Sequence, residues 1–283
     1  MLTPDDILLT DKVALITGGA QGIGEGITRN YARFGAKVVI ADKNADAGTV
    51  TAASINAAGG IARFVHCDIR DLDQVEQAVN LTMQEFGRLD ILVNNAGGVR
   101  RAPFLDLGAR GWHRHIELNM LGLFGPTDLA VRAMLKGRRG GAIINVASIE
   151  ALRAAPHRSI YAACKAAMVN FTRTLALELA LDNIRVNAIA PDIIATPGIR
   201  LIGPEGEAPQ ERLEALARHI PQGRAGRTDD AAGVCVFLAS DMARYITGVI
   251  IPVDGGTWAS SGWSRDRQGR WQLFEGFAEA YSV

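Results

Sequence analysis

Short apolar runs without polar alternation occupy residues 12–17, 37–41, 61–66, 89–93, 142–146 and 184–190, and longer stretches of helical periodicity separate them. A strand covered on both faces reads as a continuous, β-branched apolar run, whereas a helix buries only one stripe. The intervening stretches, residues 23–34, 45–58, 72–86, 109–135 and 160–180, have that stripe, and glycines at Gly35 and Gly59-Gly60 stop two of them. Strictly alternating strands and helices predict an α/β fold with one doubly wound parallel sheet and right-handed crossovers. The predicted organisation is a single domain over residues 1–256 and an aromatic-rich extension over 257–283, packing on the domain or on a neighbouring subunit. Gly125-Pro126 interrupts the 109–135 stretch, so a kink or break is expected there.

Composition narrows the function classes. Among 283 residues, lysine plus arginine and aspartate plus glutamate each number 30, so no net charge favours nucleic acid. Cys67, Cys164 and Cys235 are too scattered for a disulfide framework or a zinc site, and no other metal-ligand spacing occurs. The acidic start, Met-Leu-Thr-Pro-Asp-Asp, lacks the charged and apolar regions of a signal peptide, and no run reaches membrane-spanning length. A soluble, cytoplasmic protein acting on a small molecule is expected.

The candidate chemistry begins where the first strand ends. Thr17-Gly18-Gly19-Ala20-Gln21-Gly22-Ile23-Gly24 joins a strand to a helix. Backbone free of side chains, open N–H groups and the helix dipole suit a pyrophosphate there. Asp42 ends the second strand about 20 residues later, where a carboxylate accepts from an adenosine ribose and repels a 2'-phosphate. That favours NAD over NADP, although Lys43 adjoins it, and Asp42 could instead cap the helix that follows. Asp68 and Ile69 follow the third strand, Asp68 as an adenine acceptor or a helix cap, and Asn95, Ala96 and Gly97 follow the fourth, where a nucleotide or a simple turn explains them. Tyr161 and Lys165 lie one turn apart on a predicted helix, which sets a phenol beside an ammonium, and Ser148 at a strand end could bind the same substrate oxygen. A neighbouring cation favours the phenolate of a group whose free pKa is about 10. Asn119 in mid-helix needs a partner, either a carbonyl or a water near that pair.

Taken in order, these motifs, with Val186-Asn187 before Ala190-Pro191 and Gly255-Gly256 after Val253-Asp254, resemble the short-chain dehydrogenase/reductases over roughly residues 10–256. The resemblance implies a Rossmann-type, NAD-dependent oxidoreductase of secondary alcohols and ketones, with Tyr161 as general acid/base. It implies that Ser148 polarises the substrate oxygen, Lys165 lowers the tyrosine pKa and binds the nicotinamide ribose, and Asn119 supports a relay water. Pro191, Ile194 and Thr196 would contact the nicotinamide, and a homotetramer, or at least a dimer, is implied. Asp192 departs from the Pro-Gly pattern common at that position. Alternatives are a 3-oxoacyl-carrier ketoreductase using NADPH, and a nucleotide-binding regulator without turnover. Leu152, Ala155, Pro156, Ile193, Ile194, Leu201 and Ile202 suggest a hydrophobic or cyclic substrate, while Arg100, Arg101, Arg153 and Arg200 could clamp a carboxylate. The tryptophans of the extension should pack as a strap, against a subunit, or as a lid.

Overall fold

The structure, a computed structural model, describes residues 1–197 and 209–273. Seven parallel strands form one sheet in the order β3-β2-β1-β4-β5-β6-β7: Val13–Thr17 (β1), Lys37–Asp42 (β2), Ile61–His66 (β3), Ile91–Asn94 (β4), Gly141–Val146 (β5), Ile184–Pro191 (β6) and Ile250–Val253 (β7). Side chains alternate across a strand, so each strand feeds two cores. Ala14 and Ile16 enter one of them and Leu15 the other, and Val38 and Ile40 separate from Val39 in the same way.

Helices α1 (Gly22–Arg33), α2 (Ala45–Ala57) and α8 (Thr228–Ala239) cover the first face. The opposite face is covered by α3 (Leu72–Phe86), α5 (Gly122–Gly137) and α6 (Ser159–Glu178). The Tyr31 hydroxyl donates to the Cys235 carbonyl at 3.0 Å, satisfying a buried phenol where α1 meets α8. The stretches 23–34, 45–58, 72–86 and 160–180 match α1, α2, α3 and α6 to within a few residues, whereas 109–135 begins well before α5. The pattern passed over α8 and β7. The first is apolar all round beyond its first turn and so lacks a polar face, and the second is a four-residue edge strand containing Pro252.

The expected break at Pro126 is displaced. α4 (Phe104–Ile116) runs into a π-helical turn, Glu117–Leu121, and α5 then carries Pro126 within its first turns. A π turn already shifts the hydrogen-bond ladder ahead of the proline, and such turns cluster at functional sites. Among the described residues no helix is long and apolar enough to cross a membrane. The extension forms α9 (Thr257–Ser260) and a hairpin of β8 (Ser264–Arg265) and β9 (Trp271–Gln272), with β8 lying against α7 (Gln210–His219). Phe274, Phe277, Tyr281, Arg200, Leu201 and Ile202 lie outside the described residues.

Candidate active site

Because the sheet is parallel, all its strands deliver their carboxyl ends to one rim. At the end of β1, Thr17 Oγ1 accepts from the N–H groups of Asn95 and Ala96 at 3.1 and 3.2 Å. Asn95 Nδ2 returns bonds to the carbonyls of Thr17 and Gly18 at 3.1 and 2.8 Å. The glycine turn and the exit of β4 are thereby stitched together. A Cβ on Gly24 would stand 2.0 Å from the Gly18 carbonyl oxygen, and Gly18 itself has φ of +62°, so neither position accommodates a side chain without displacement.

In front of this turn opens a cleft of about 340 Å³, lined by Gly18, Gln21, Gly22, Ile23, Asp42, Lys43, Asp68, Ile69, Asn95, Ala96, Gly97 and Thr196. Cys67, Leu118 and Pro197 join them; Cys67 opens the Cys67-Asp68-Ile69 stretch expected at the ligand end of the third strand, whereas sequence reasoning singles out neither Leu118 nor Pro197. Gly24 lies beneath the loop, Pro191 is buried at the end of β6, and Ile194 is buried and bridged to Gly226. The Asp42 carboxylate is oriented by N–H groups of Ala20 at 3.1 Å and Asn44 at 2.9 Å. Asn44 caps α2 by accepting from Ala47, so the capping role open to Asp42 is filled by another residue. Asp71 likewise caps α3, while Asp68 pairs with Arg70, whose hydrogen bonds hold its carboxyl down to about 2.

A second group of side chains borders this cleft. A Cβ on Gly97 would lie 2.9 Å from Asn119 Oδ1 and 3.5 Å from Lys165 Nζ, so both meet the cleft wall at one glycine. Asn119 belongs to the π turn. Its Oδ1 accepts from Gly98 N–H at 3.1 Å, and its Nδ2 donates to the carbonyls of Gly98 and His115, each at 3.0 Å. Lys165 Nζ donates to the Val146 carbonyl at 2.7 Å and stands 5.9 Å from the centroid of the Tyr161 ring. The one-turn pairing read from the sequence is therefore realised. Cys164, inside the motif, is buried with its Sγ 3.8 Å from the His115 carbonyl, a packing role.

The electrostatics differ from the expectation. Burial pushes the Tyr161 phenol above its ordinary value, opposed by the Ser148 hydrogen bond, and Lys165 is not among the groups that move it. The ammonium sits over the ring and donates to a carbonyl. Burial also brings Lys165 down to about 8. Glu150 and Arg158, which sequence reasoning did not single out, act on the phenol in opposite senses, Glu150 raising its pKa and Arg158 lowering it. The only sequence signal for them is charge close to Ser148 and Tyr161 in an otherwise small and apolar stretch.

Glycine-lined backbone, the N-terminus of α1 and an oriented carboxylate at the end of β2 suit the pyrophosphate and ribose of a dinucleotide. Comparisons with known proteins agree with that geometry. The family profile described as Enoyl-(Acyl carrier protein) reductase matches residues 18–257. The chain is 40% identical over 254 residues to an L-rhamnose 1-dehydrogenase (NAD(P)(+)) of Azotobacter vinelandii, covering 88% of this chain and 98% of that one. It is 39% identical over 251 residues to a 3-oxoacyl-[acyl-carrier-protein] reductase of Thermotoga maritima, covering 88% and 98% respectively. A solved 7α-hydroxysteroid dehydrogenase complexed with NADH and 7-oxo glycochenodeoxycholic acid superposes with TM-score 0.83 at 36% identity, over 90% of this chain and 98% of that one. The chain is an oxidoreductase interconverting alcohols and ketones with a nicotinamide cofactor, and it belongs to the short-chain dehydrogenase/reductase family.

Proposed function

We propose that this oxidoreductase uses NAD and moves the substrate proton through Tyr161. The observation that carries the reading is the meeting of Asn119 and Lys165 at Gly97, on the wall of the cleft that Asp42 also lines. When bound there, the nicotinamide accepts or supplies the hydride. In reduction the Tyr161 hydroxyl donates its proton to the oxygen of the substrate as negative charge develops on it, and in oxidation the phenolate takes that proton back. Ser148 donates a hydrogen bond to the same oxygen, which orients the carbonyl and stabilises the developing charge. Lys165 binds the nicotinamide ribose, and Asn119, held by Gly98 and His115, keeps the π turn and the Gly97 backbone in position. Gly18, Gln21, Gly22 and Ile23 receive the pyrophosphate, Asp42 with Lys43 the adenosine ribose, Asp68 and Ile69 the adenine, and Asn95, Ala96, Gly97, Pro191, Ile194 and Thr196 the remainder of the dinucleotide.

Preference for NAD rests on Asp42, whose fixed carboxylate would repel a 2'-phosphate. It also weighs against a carrier-linked, NADPH-dependent ketoreductase. Assembly into a homotetramer is supported by apolar side chains left exposed along the helices that carry the site, among them Leu121, Phe124 and Leu177, 78% exposed in the last case. Three free, buried cysteines accord with a reducing cytoplasm. The described part of the extension, residues 257–273, lies against α7 through its hairpin, which supports the reading that the extension packs on the domain.

An alcohol and ketone library, scanned for absorbance of the reduced nicotinamide, tests this reading. Turnover is expected with NAD at least about tenfold more efficient in kcat/KM than with NADP, since one unpaired buried charge costs that much or more. Efficiency higher with NADP would remove the assignment of Asp42.

A further inference from the structure

Four charged side chains are linked to one another beside Ser148, just past the ends of β5 and β6. Glu150 N–H donates to Ser148 Oγ at 3.2 Å, and its carboxylate pairs with Arg158, three residues before Tyr161. Nη2 of Arg153 stands 3.8 Å from Glu150 and donates to Asp192 Oδ2 at 3.0 Å. Thr257 Oγ1 donates to the same Asp192 oxygen at 2.6 Å. The carboxylates are 8% and 7% exposed, and Arg153 is 29% exposed. Two carboxylates this far from water are costly, and stability alone is served as well by apolar residues of like volume. Leu152, expected to line the site, instead packs onto the core cluster of Leu123, Met168 and Val169.

The bonding within the group is incomplete in a particular way. Among the described residues, bonds to Arg153 fall on Nη2 alone, and those to Asp192 side-chain oxygens fall on Oδ2 alone. The other Arg153 N–H groups and Asp192 Oδ1 are not among the buried side-chain atoms without a partner, so they are open to solvent or to a solute hydroxyl. A hydroxyl is both donor and acceptor and satisfies each at once, and adjacent hydroxyls do so twice. Charge decides between the remaining substrate classes. Two arginines and two carboxylates balance, so within this group no surplus cation is left to hold a carboxylate substrate, and an apolar ring would leave its open donor and acceptor unmet.

We infer that Arg153 and Asp192 determine specificity, selecting a neutral polyhydroxylated substrate, a sugar or polyol, over apolar and anionic alcohols. The inference rests on the function proposed above. Initial rates of NAD reduction by the full-length protein, with galactitol, L-rhamnose, cyclohexanol and gluconate, test it in the wild type, in Asp192→Asn and in Arg153→Gln. The wild type should favour a neutral polyhydroxylated probe in kcat/KM by about tenfold or more over both cyclohexanol and gluconate. Each variant should lower the ratio of that probe to cyclohexanol by about tenfold to a hundredfold. The ratio within one preparation is unaffected by the folded fraction, so a merely structural role leaves it where it was. A preference for cyclohexanol or gluconate, or variants that lower all rates equally, would overturn the inference and leave the function standing. No turnover of any alcohol by the wild type would overturn both.

Discussion

At the scale of single residues, what matters is how far burial moves the two groups set one turn apart. Spacing in the sequence sufficed to place Tyr161 beside Lys165, because residues four apart share a helix face. It could not reveal that the phenol is pushed up, since burial and the direction of the ammonium are tertiary properties. The consequence for pH has a definite sign. With its pKa raised, the neutral phenol predominates at neutral pH, so the proposed proton donor for reduction is fully present there. The phenolate needed for oxidation grows as pH rises toward that pKa. kcat/KM for alcohol oxidation should therefore climb between pH 7 and 9 while ketone reduction does not. Oxidation that falls over this interval would show that another group takes the proton. Asp42 was legible from its distance to the glycine turn. Glu150 and Arg158 were not, because nothing in a single sequence tells a buried charge from a solvated one.

Elements explain why the glycine turn tolerates so little change. Gly24 starts the contact of α1 with the loop, and its missing side chain lets the Gly18 carbonyl approach to a distance at which a Cβ would overlap it. Gly24→Ala should destabilise the fold by about 1–3 kcal/mol, as overpacking does. It should also weaken NAD binding by about tenfold or more, as read by a denaturant melt and by quenching of protein fluorescence. Wild-type affinity and midpoint would mean that the turn relaxes freely. Most of the elements were visible as period: five helices and six strands could be placed from the alternation of apolar positions. The π turn was not, because its defining feature is a shifted hydrogen-bond ladder, and Pro126, the obvious breaker, sits in a helix that continues through it. That turn nonetheless carries Asn119, so a proposed site residue rests on an irregularity without sequence signature.

The whole molecule combines a sheet rim that gathers the site with helix surfaces that remain apolar. Leu177 is 78% exposed on α6, the helix that holds Tyr161 and Lys165, so assembly through this helix would brace the site from behind. Leu177→Glu is expected to lower the mass in solution measured by sedimentation, whereas an unchanged mass would move the interface elsewhere. Periodicity within one chain carries no information about such a surface, because an exposed leucine reads the same whether or not a second subunit covers it. What joins all three scales is the proposed work of a phenol, paired with Lys165, beside a cleft suited to a dinucleotide. The most direct measurement compares wild type with Tyr161→Phe for NADH formation from an alcohol that the wild type oxidises, alongside NAD affinity by fluorescence titration. Loss of turnover by about a hundredfold or more with NAD affinity within a few-fold of wild type is predicted, and a variant that retains wild-type turnover would contradict the account.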